Sequence, residues 1–445
     1  MSAAGRPWSG RRLHFVGVGG AGMSGYARAA HALGAEVSGS DSASGGYLDG
    51  LAADGVLRAT VGHRAENLPD GEGVELVYSS AVPAANAERR AARERGIPER
   101  PRAELLAELT ALRRTIAVAG THGKTTTASM LVHALRAAGL EPGWLVGGTV
   151  ARELPNARWG SGEWLVVEAD ESDRSMLSLR VEIAVLTNVE LDHHSTFGSL
   201  AELRGAFKDF LAHAPSAVIW DRPDLLALRQ GPVTPYDAPE PTLTPGGSVF
   251  QWRGRPVQLQ VPGAHNALNA AGALEAARLA GAEERLAIDG LAGFHGAGRR
   301  FQPLGSSAHG ALLYDDYAHH PTEVAATLRA ARTFEHRRLV AVFQPHLYSR
   351  TALLAREFGL ALAHADVIAV LDVYPARERA EDHPGVSGLR IAEQAADRAA
   401  GRPVYWLPTF DDAEPVLAEL LREGDLCLIM GAGDIEELGR RLVRR

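Results

Sequence analysis

Cysteine is nearly missing: Cys427 is the only one in 445 residues. That excludes a disulfide framework and any multi-cysteine zinc or iron–sulfur site, and it points to a reducing cytoplasm. Long apolar runs are missing too; none approaches the ~18 residues that span a bilayer, so no membrane insertion is expected. The N-terminus carries Arg6, Arg11 and Arg12, but the stretch after them is short and glycine-rich, without the apolar core of a signal peptide. No basic block stands out, and the net charge is −8. Broad nucleic-acid binding is therefore not expected, and any phosphate must be held by local devices. No fixed repeat of roughly 20–50 residues is visible.

What is present is ordinary globular material. The chain is 46% hydrophobic and 22% charged, enough for real cores, and its length suggests about three domains at ~150 residues each. Alanine and arginine are over-used, a bias that carries no function. Apolar runs alternate with helical patterns, which predicts parallel βαβ units. In 1–110 the strands are expected at 12–18, 35–41 and 75–83, with a helix at 24–33. In 111–300 they are expected at 114–120, 163–170 and 181–189, and the proline- and glycine-rich stretch 231–247 reads as a surface excursion, not a domain boundary. In 301–445 they are expected at 311–317, 338–346, 366–374, 403–408 and 425–433. The fold class is α/β, as three domains in series.

Residues 17–22 read GVGGAG, a G-x-G-x-x-G turn between a strand and a helix, and Asp41 closes the next strand. Glycines there let backbone amides approach a diphosphate, and the helix N-terminus supplies partial positive charge. The alternative is a tight turn that only packs helix on strand. Taken alone, this segment suggests an NAD-dependent oxidoreductase.

The stretch AVAGTHGKTTTASM (117–130) changes that reading. It resembles a Walker loop, but Val118 stands where the first glycine belongs, leaving the shorter G-x-x-G-K-T. A strand precedes it and a helix is expected over 125–139. Lys124 can neutralise β/γ-phosphate charge, and the Thr125 hydroxyl can reach a magnesium ion. A purely structural glycine turn is the alternative. Two acidic clusters come next. WLVVEADESD (164–173) ends a strand with Glu168, Asp170, Glu171 and Asp173, like a Walker-B acid, and LTNVELDHH (186–194) ends another with Asp192, His193 and His194. Each could be a solvated strand end, but both lie downstream of a phosphate loop.

Taken in order, these motifs resemble the Mur ligase family of bacterial cell-wall synthesis. The resemblance runs through HFVGVGGAGMSG (14–25), SGSD (38–41), SSAVP (79–83), GTHGKTTT (120–127), EADESD (168–173) and TNVELDHH (187–194). It continues with VPGAHNALNA (261–270), GRRF (298–301), DDYAHHPTEV (315–324), FQPHLYSRT (343–351) and GAGD (431–434). The shorter phosphate loop is this family's own. Within the family, the GGAGMSG turn is most similar to the alanine-adding branch.

The resemblance implies a Rossmann-like N-terminal domain for a UDP-sugar, a P-loop ATP-binding central domain and a Rossmann-like C-terminal domain. It implies a cytoplasmic ligase that uses ATP and Mg²⁺ (or Mn²⁺) to activate the lactyl carboxylate of UDP-N-acetylmuramate as an acyl phosphate, which L-alanine then attacks. Neither nucleic acid nor membrane is an expected partner, and a monomer or weak homodimer is expected. By position, the UDP-sugar would be held by Gly19, Gly20, Ala21, Gly22, Met23, Ser24, Asp41, Ser79 and Ser80. ATP would be held by Gly120, Thr121, His122, Gly123, Lys124, Thr125 and Thr126, by Asn266 and Asn269 at the adenine, by Arg300 at the γ-phosphate, and by Asp316 at the ribose. Arg299 and Asp315 compete with their neighbours for the last two roles, and helix capping is the alternative for Asn266. Thr125 and Glu168 would ligate one metal ion and His193 a second. Tyr317, His319 and Arg350 would receive the amino acid, with Lys124, His193 and Arg350 carrying the chemistry.

Some positions depart from the family pattern. Leu347 stands where some relatives have a second arginine, Ala318 where glycine is common, and His194-Ser195 where Met-Asp is usual after the metal histidine. Lys208 falls where sister ligases carry a carbamylated lysine, and an exposed helix lysine is expected instead. The competing functions are a recycling ligase that attaches a tripeptide to the same sugar, the oxidoreductase above, and a non-catalytic nucleotide-binding regulator.

Overall fold

The computed structural model describes residues 6–151, 154–194 and 196–444. They fall into two compact units, one within Met1–Val189, Ala201–Asp237 and Ala270–Leu291, the other within Glu190–Leu200, Ala238–Asn269 and Ala292–Arg445. Among the described residues no helix is long and apolar enough to cross a membrane.

The first unit holds two sheets. One has five parallel strands in the order Thr60–Val61, Glu36–Asp41, Arg12–Val16, Val74–Tyr78 and Glu99–Pro101. Its central strand reads RLHFV because a strand in mid-sheet is covered on both faces, and Phe15 and Val16 are fully buried. The other has seven strands in the order Val233–Tyr236, Ser216–Trp220, Ile183–Leu186, Arg114–Ala119, Trp164–Glu168, Gly143–Leu145 and Ala157–Arg158. All its pairs are parallel except the last. Strands Ile183–Leu186, Arg114–Ala119 and Trp164–Glu168 are neighbours, so the loops after them leave the same edge, where α/β sheets bind ligands.

The second unit holds a six-stranded sheet in the order Gln302–Ser306, Leu312–Asp316, Asp425–Met430, Arg338–Phe343, Val367–Val370 and Val404–Trp406. Only the first strand is antiparallel. The two-residue side-chain period sorts the core onto its two faces. Leu339, Ala341 and Phe343 pack with Phe358 and Leu362, while Val340 and Val342 pack with Leu417 and Leu438.

Strand readings from the sequence overrun at their C-terminal ends. Residues 338–346 give Arg338–Phe343, 425–433 give Asp425–Met430, and 75–83 give Val74–Tyr78. The loops after them begin with buried or small residues that extend the apolar pattern past the last ladder bond. The stretch 231–247 is largely exposed, as expected of a surface excursion, but the division between the two units falls within it, after Asp237, and it is not without strands. It supplies an edge strand, Val233–Tyr236, and the first strand of an antiparallel sheet, Thr242–Thr244, Gly247–Trp252 and Arg255–Leu259. Pro235 is tolerated because its strand is an edge. The Arg253–Gly254 turn, with φ of +50° and +76°, is a tight hairpin connection.

One buried charge has no sequence signal. Glu88 lies on the helix Ala87–Glu94, whose sequence AERRAARE reads as a solvated surface, yet Glu88 is fully buried. Its carboxylate accepts from Ser40 Oγ (2.7 Å) and Asn67 Nδ2 (3.0 Å) and meets His14 Nε2 at 2.8 Å. Burial would raise its pKa, but the bonds from His14, Asn67 and Ser40 outweigh it and hold the group at about 2. The stabilisation is therefore present above the ordinary glutamate range and lost as pH falls toward about 2. Glu88→Ala, which strands these partners, is expected to cost on the order of 3 kcal/mol, read as a lower Tm at neutral pH that converges on wild type in strong acid.

Candidate active site

Gly120 comes directly after strand Arg114–Ala119, and helix Lys124–Ala137 begins four residues later. Gly120 has φ +133° and Gly123 φ +80°, conformations that L side chains resist. A Cβ at Gly120 would also lie 2.0 Å from Thr187 Oγ1. The turn is pinned by Thr187 and Asn188. The Thr121 N–H donates to the Asn188 carbonyl (3.1 Å) and the His122 N–H to Asn188 Oδ1 (2.8 Å), while Thr187 Oγ1 donates to the His122 carbonyl (2.6 Å). The backbone donors of Thr121 and His122 are thus turned onto Asn188. Those of Lys124, Thr125 and Thr126 belong to the first turn of a helix with no side-chain cap, where N–H groups lack intrahelical partners and favour an anion.

Lysine occurs in this chain only at 124 and 208. Lys208 is exposed on helix Leu200–Ala212, as expected. Lys124 Nζ curls back over the turn, donating to the Gly120 carbonyl (2.6 Å) and to Glu171 (2.9 and 3.0 Å). Burial works against its charge, but Glu171 and Asp170 raise its pKa above the ordinary value. The Thr125 hydroxyl donates to Glu168, whose other oxygen accepts the Gly147 N–H. Burial pushes the Glu168 carboxyl up, and Thr125 and Lys124 offset this only in part. Thr125 and Glu168 are hard oxygen donors side by side, one of them a carboxylate short of positive charge. They fit a divalent magnesium or manganese ion.

The glycine turn sits at the carboxyl end of the five-stranded sheet. Asp41 Oδ2 accepts the Gly19 N–H (2.7 Å), and a Cβ at Gly19 would lie 2.9 Å from that oxygen. Helix Ala21–Ala32 starts at Gly20 without a side-chain cap, another first turn open to an anion. Ser79 and Ser80 come after the neighbouring strand, and a Cβ at Gly17 would lie 3.2 Å from Ser79 Cβ. The structure brings Gly19, Gly20, Ala21, Gly22, Asp41, Ser79 and Ser80 to one edge. Met23 and Ser24 are on the same turn but their side chains point inward, 2% and 0% exposed. Neither side chain reaches that edge, because the first turn of a helix buries its inner side against the sheet.

The second unit carries the other predicted residues. Arg299 is bound into the framework: it pairs with Asp315 (3.0 Å) and donates to the Gly431 and Gly433 carbonyls (3.0 Å each). Arg300 meets Glu323 at 3.4 Å and lies over the Tyr317 ring. Asp316 accepts the N–H groups of Phe301 and Ala318 (2.8 Å each), and burial pushes its carboxyl up to about 6. Asn266 lies inside helix Ala264–Leu279 and donates its amide to the Pro262 carbonyl (2.7 Å), which is not the bond of an N-cap. Asn269 Nδ2 donates to Asn266 Oδ1 (3.4 Å).

Around Arg350 the structure gives Asp192, offered by the sequence only as one member of an acidic cluster, a specific partner. Arg350 heads helix Tyr348–Leu362 and is 2% exposed. Its Nε and Nη2 donate to the two oxygens of Asp192 (2.9 and 3.0 Å), a bidentate pair. Burial would raise the Asp192 pKa, but Arg350 and the neighbouring imidazoles hold it well below the carboxylate range. His193 is next in the chain with φ +53°, its N–H donating to Asp192 Oδ1 (2.7 Å). His319 sits beside Tyr317, with ring centroids 5.4 Å apart, and burial pushes its imidazole down to about 4.

Three protein-family sequence models match the chain in series: "Mur ligase family, catalytic domain" over residues 12–114, "Mur ligase middle domain" over 118–277 and "Mur ligase, glutamate ligase domain" over 299–433. The UDP-N-acetylmuramate–L-alanine ligase of Mycolicibacterium smegmatis is 42% identical over 97% of this chain and 94% of that protein. The chain belongs to the Mur ligase family. The ligase of the same name from Kineococcus radiotolerans is 46% identical, covering 96% of this chain and 94% of its own. Among solved structures, the UDP-N-acetylmuramate–alanine ligase of Thermotoga maritima superposes with a TM-score of 0.83 at 27% identity, over 98% of both chains. A murein peptide ligase from Psychrobacter arcticus shares the fold, with a TM-score of 0.73 at 24% identity over 98% of both chains.

In this Mur ligase the departures from the family pattern acquire a setting. Leu347 has φ +74° and precedes the Arg350 helix, its N–H bonded to the Tyr374 carbonyl (3.0 Å). Ala318 is fully buried. Ser195 lies outside the described residues. The carboxylate adjoining His193 stands before it, at Asp192. Thr187, Asn188 and Asp192 were all visible within the TNVELDHH motif, but nothing in a linear sequence says which polar residues of a loop face inward.

Proposed function

We propose that this chain is an ATP-dependent ligase joining L-alanine to the lactyl carboxylate of UDP-N-acetylmuramate, a step of peptidoglycan precursor synthesis. The observation that carries it is identity of 42–46% to ligases of that name over 96–97% of the chain, together with a phosphate loop whose Thr125 bonds Glu168. Residues 1–110 bind the UDP-sugar, 111–300 bind ATP, and 301–445 bind the amino acid. A cytoplasmic monomer or weak homodimer fits this role.

The first step has a carboxylate oxygen attack the γ-phosphorus of ATP, releasing ADP and leaving an acyl phosphate. The uncharged amine of L-alanine then adds to its carbonyl carbon, phosphate departs, and the nitrogen loses a proton as the amide forms. The first step brings two anions together. Lys124, swung from Glu171 onto the β/γ-phosphates, and the N-terminus of its helix offset that charge. Thr125 and Glu168 would hold one magnesium or manganese ion and His193 a second, supplying further positive charge at the phosphates. Asn266 and Asn269 receive the adenine, Asp316 the ribose and Arg300 the γ-phosphate. Tyr317, His319 and Arg350 receive the amino acid, Arg350 gripping its α-carboxylate. Gly19, Gly20, Ala21, Gly22, Asp41, Ser79 and Ser80 receive the UDP-sugar.

The test is ADP release with ATP, UDP-N-acetylmuramate and L-alanine, each omitted in turn. Release is expected to require all three. Release that ignores the sugar, or that needs a murein tripeptide in place of alanine, would overturn the reading in favour of an uncoupled nucleotidase or a recycling ligase.

A further inference from the structure

The two first turns that would hold the UDP-sugar and ATP belong to different sheets of the first unit, and acyl phosphate formation needs their ligands in register. Reacting atoms must come within about 3–3.5 Å, and a misplacement of about 1 Å can cost on the order of 100-fold. One arginine stands between them. Arg102 begins helix Arg102–Ala111, directly after the edge strand of the five-stranded sheet. Its Nε donates to Asp173 (2.9 Å), and its Nη2 donates to Asp170 (2.9 Å) and lies 2.7 Å from Asp173. Both acids lie on the loop after strand Trp164–Glu168, the loop that carries Glu171, the partner of Lys124. The acids are themselves fixed: Asp170 accepts the Ser172 N–H (2.9 Å) and Asp173 the Ser175 N–H (3.0 Å).

The other end of the guanidinium faces the glycine turn. A Cβ at Gly22 would lie 3.3 Å from Arg102 Nη1, so the guanidinium packs directly against the first turn of this helix, at a residue without a side chain. A second strut runs parallel. Asn156, 1% exposed, donates to Ser24 Oγ (3.0 Å) and to the Ala21 carbonyl, and a Cβ at Gly25 would lie 3.1 Å from Ala157 Cβ. Gly22, Ser24 and Gly25 thus form a small-residue face that seats the sugar-nucleotide helix against the ATP sheet.

We propose that Arg102 is a positioning residue for acyl phosphate formation: it fixes the glycine turn that holds the UDP-sugar to the acidic loop whose Glu171 holds Lys124, with Asn156 as the second tie. The inference rests on the function proposed above. It requires that losing Arg102 damage the chemical step while each ligand still binds its own half of the unit.

The experiment uses full-length Arg102→Ala, Arg102→Lys and Asn156→Ala. Kd for a non-hydrolysable ATP analogue and for UDP-N-acetylmuramate are measured separately by calorimetry, beside kcat and Tm. Arg102→Ala is expected to lower kcat at least 30-fold with both Kd values within threefold of wild type. Arg102→Lys, which keeps the charge but not the fork, should recover part of the loss, and Asn156→Ala should show the same split more weakly. Unchanged kcat in Arg102→Ala, or Kd losses that match the kcat loss, would overturn the inference. So would a fall in Tm with full turnover per folded molecule, which is what a mere brace would give. If Arg102→Ala does not fold, the kcat-against-Kd split in the other two variants decides the matter on the same criteria. Absence of wild-type turnover would overturn the reaction reading itself, and this inference with it.

Discussion

Lys124→Ala is expected to lower kcat by roughly 1000-fold or more, a loss of about 4 kcal/mol of transition-state stabilisation. The size comes from the charge balance. Glu168, Asp170, Glu171 and Asp173 crowd the loop beside the phosphate turn, and Arg102 answers only Asp170 and Asp173. Lys124 is held by Glu171 and two carbonyls of its own turn, so it is stored beside the place where phosphate charge must be met. Its removal also leaves Glu171, fully buried, without its cation, which is expected to lower stability by on the order of 3 kcal/mol. Single-turnover ADP formation at saturating ATP and UDP-sugar, scaled to folded protein by Tm and circular dichroism, separates the two effects. Lys124→Arg should not rescue, because a planar guanidinium cannot follow the curled path of the ammonium over Gly120. Near-wild-type turnover in Lys124→Ala would show that the loop does not serve ATP.

Arg350→Ala is expected to raise KM for L-alanine roughly 10–100-fold while KM for the UDP-sugar changes little, the consequence of losing a charge-assisted bidentate contact worth about 1.5–2.7 kcal/mol. Asp192 complicates the reading in an informative way. Its carboxylate already fills the fork of Arg350, so an incoming α-carboxylate must share or displace it. Truncating Arg350 strands Asp192 in a buried place, and a lower Tm, on the order of 3 kcal/mol in stability, should accompany the KM change. Asp192→Asn tests the same point from the other side: with the rival charge gone, KM for alanine should fall. An unchanged alanine KM in Arg350→Ala would move the carboxylate grip to another residue.

The class of fold and the main motifs were legible because each is local. GVGGAG and GTHGKTTT are short, their glycines are demanded by turns with positive φ at Gly17, Gly120 and Gly123, and apolar strands flank them. Lys124 and Thr125 come from the loop motif, and Glu168 from the family resemblance among four clustered acids; the structure brings Thr125 to Glu168. Other features were not legible. Glu88 lies on a helix that looks wholly solvated. The stretch 231–247 looks like a loop because an edge strand tolerates proline. Met23 and Ser24 stand inside a binding motif yet turn their side chains away from its edge. Resemblance prefers Arg300 over Arg299, and nothing in the sequence says that Arg299 pairs with Asp315 and the Gly431 and Gly433 carbonyls.

By itself the sequence determined the α/β class, the family and the strand–turn–helix form of the GTHGKTTT turn, since those depend on residue type at fixed local spacing. Only the tertiary structure decided which charges answer which. Arg102 meets Asp170 and Asp173 across about 70 residues, and Arg350 meets Asp192 across 158. Such pairs arise from strand order and helix placement, and burial makes them strong enough to matter, because a charge removed from water must find its partner wherever the chain has brought one.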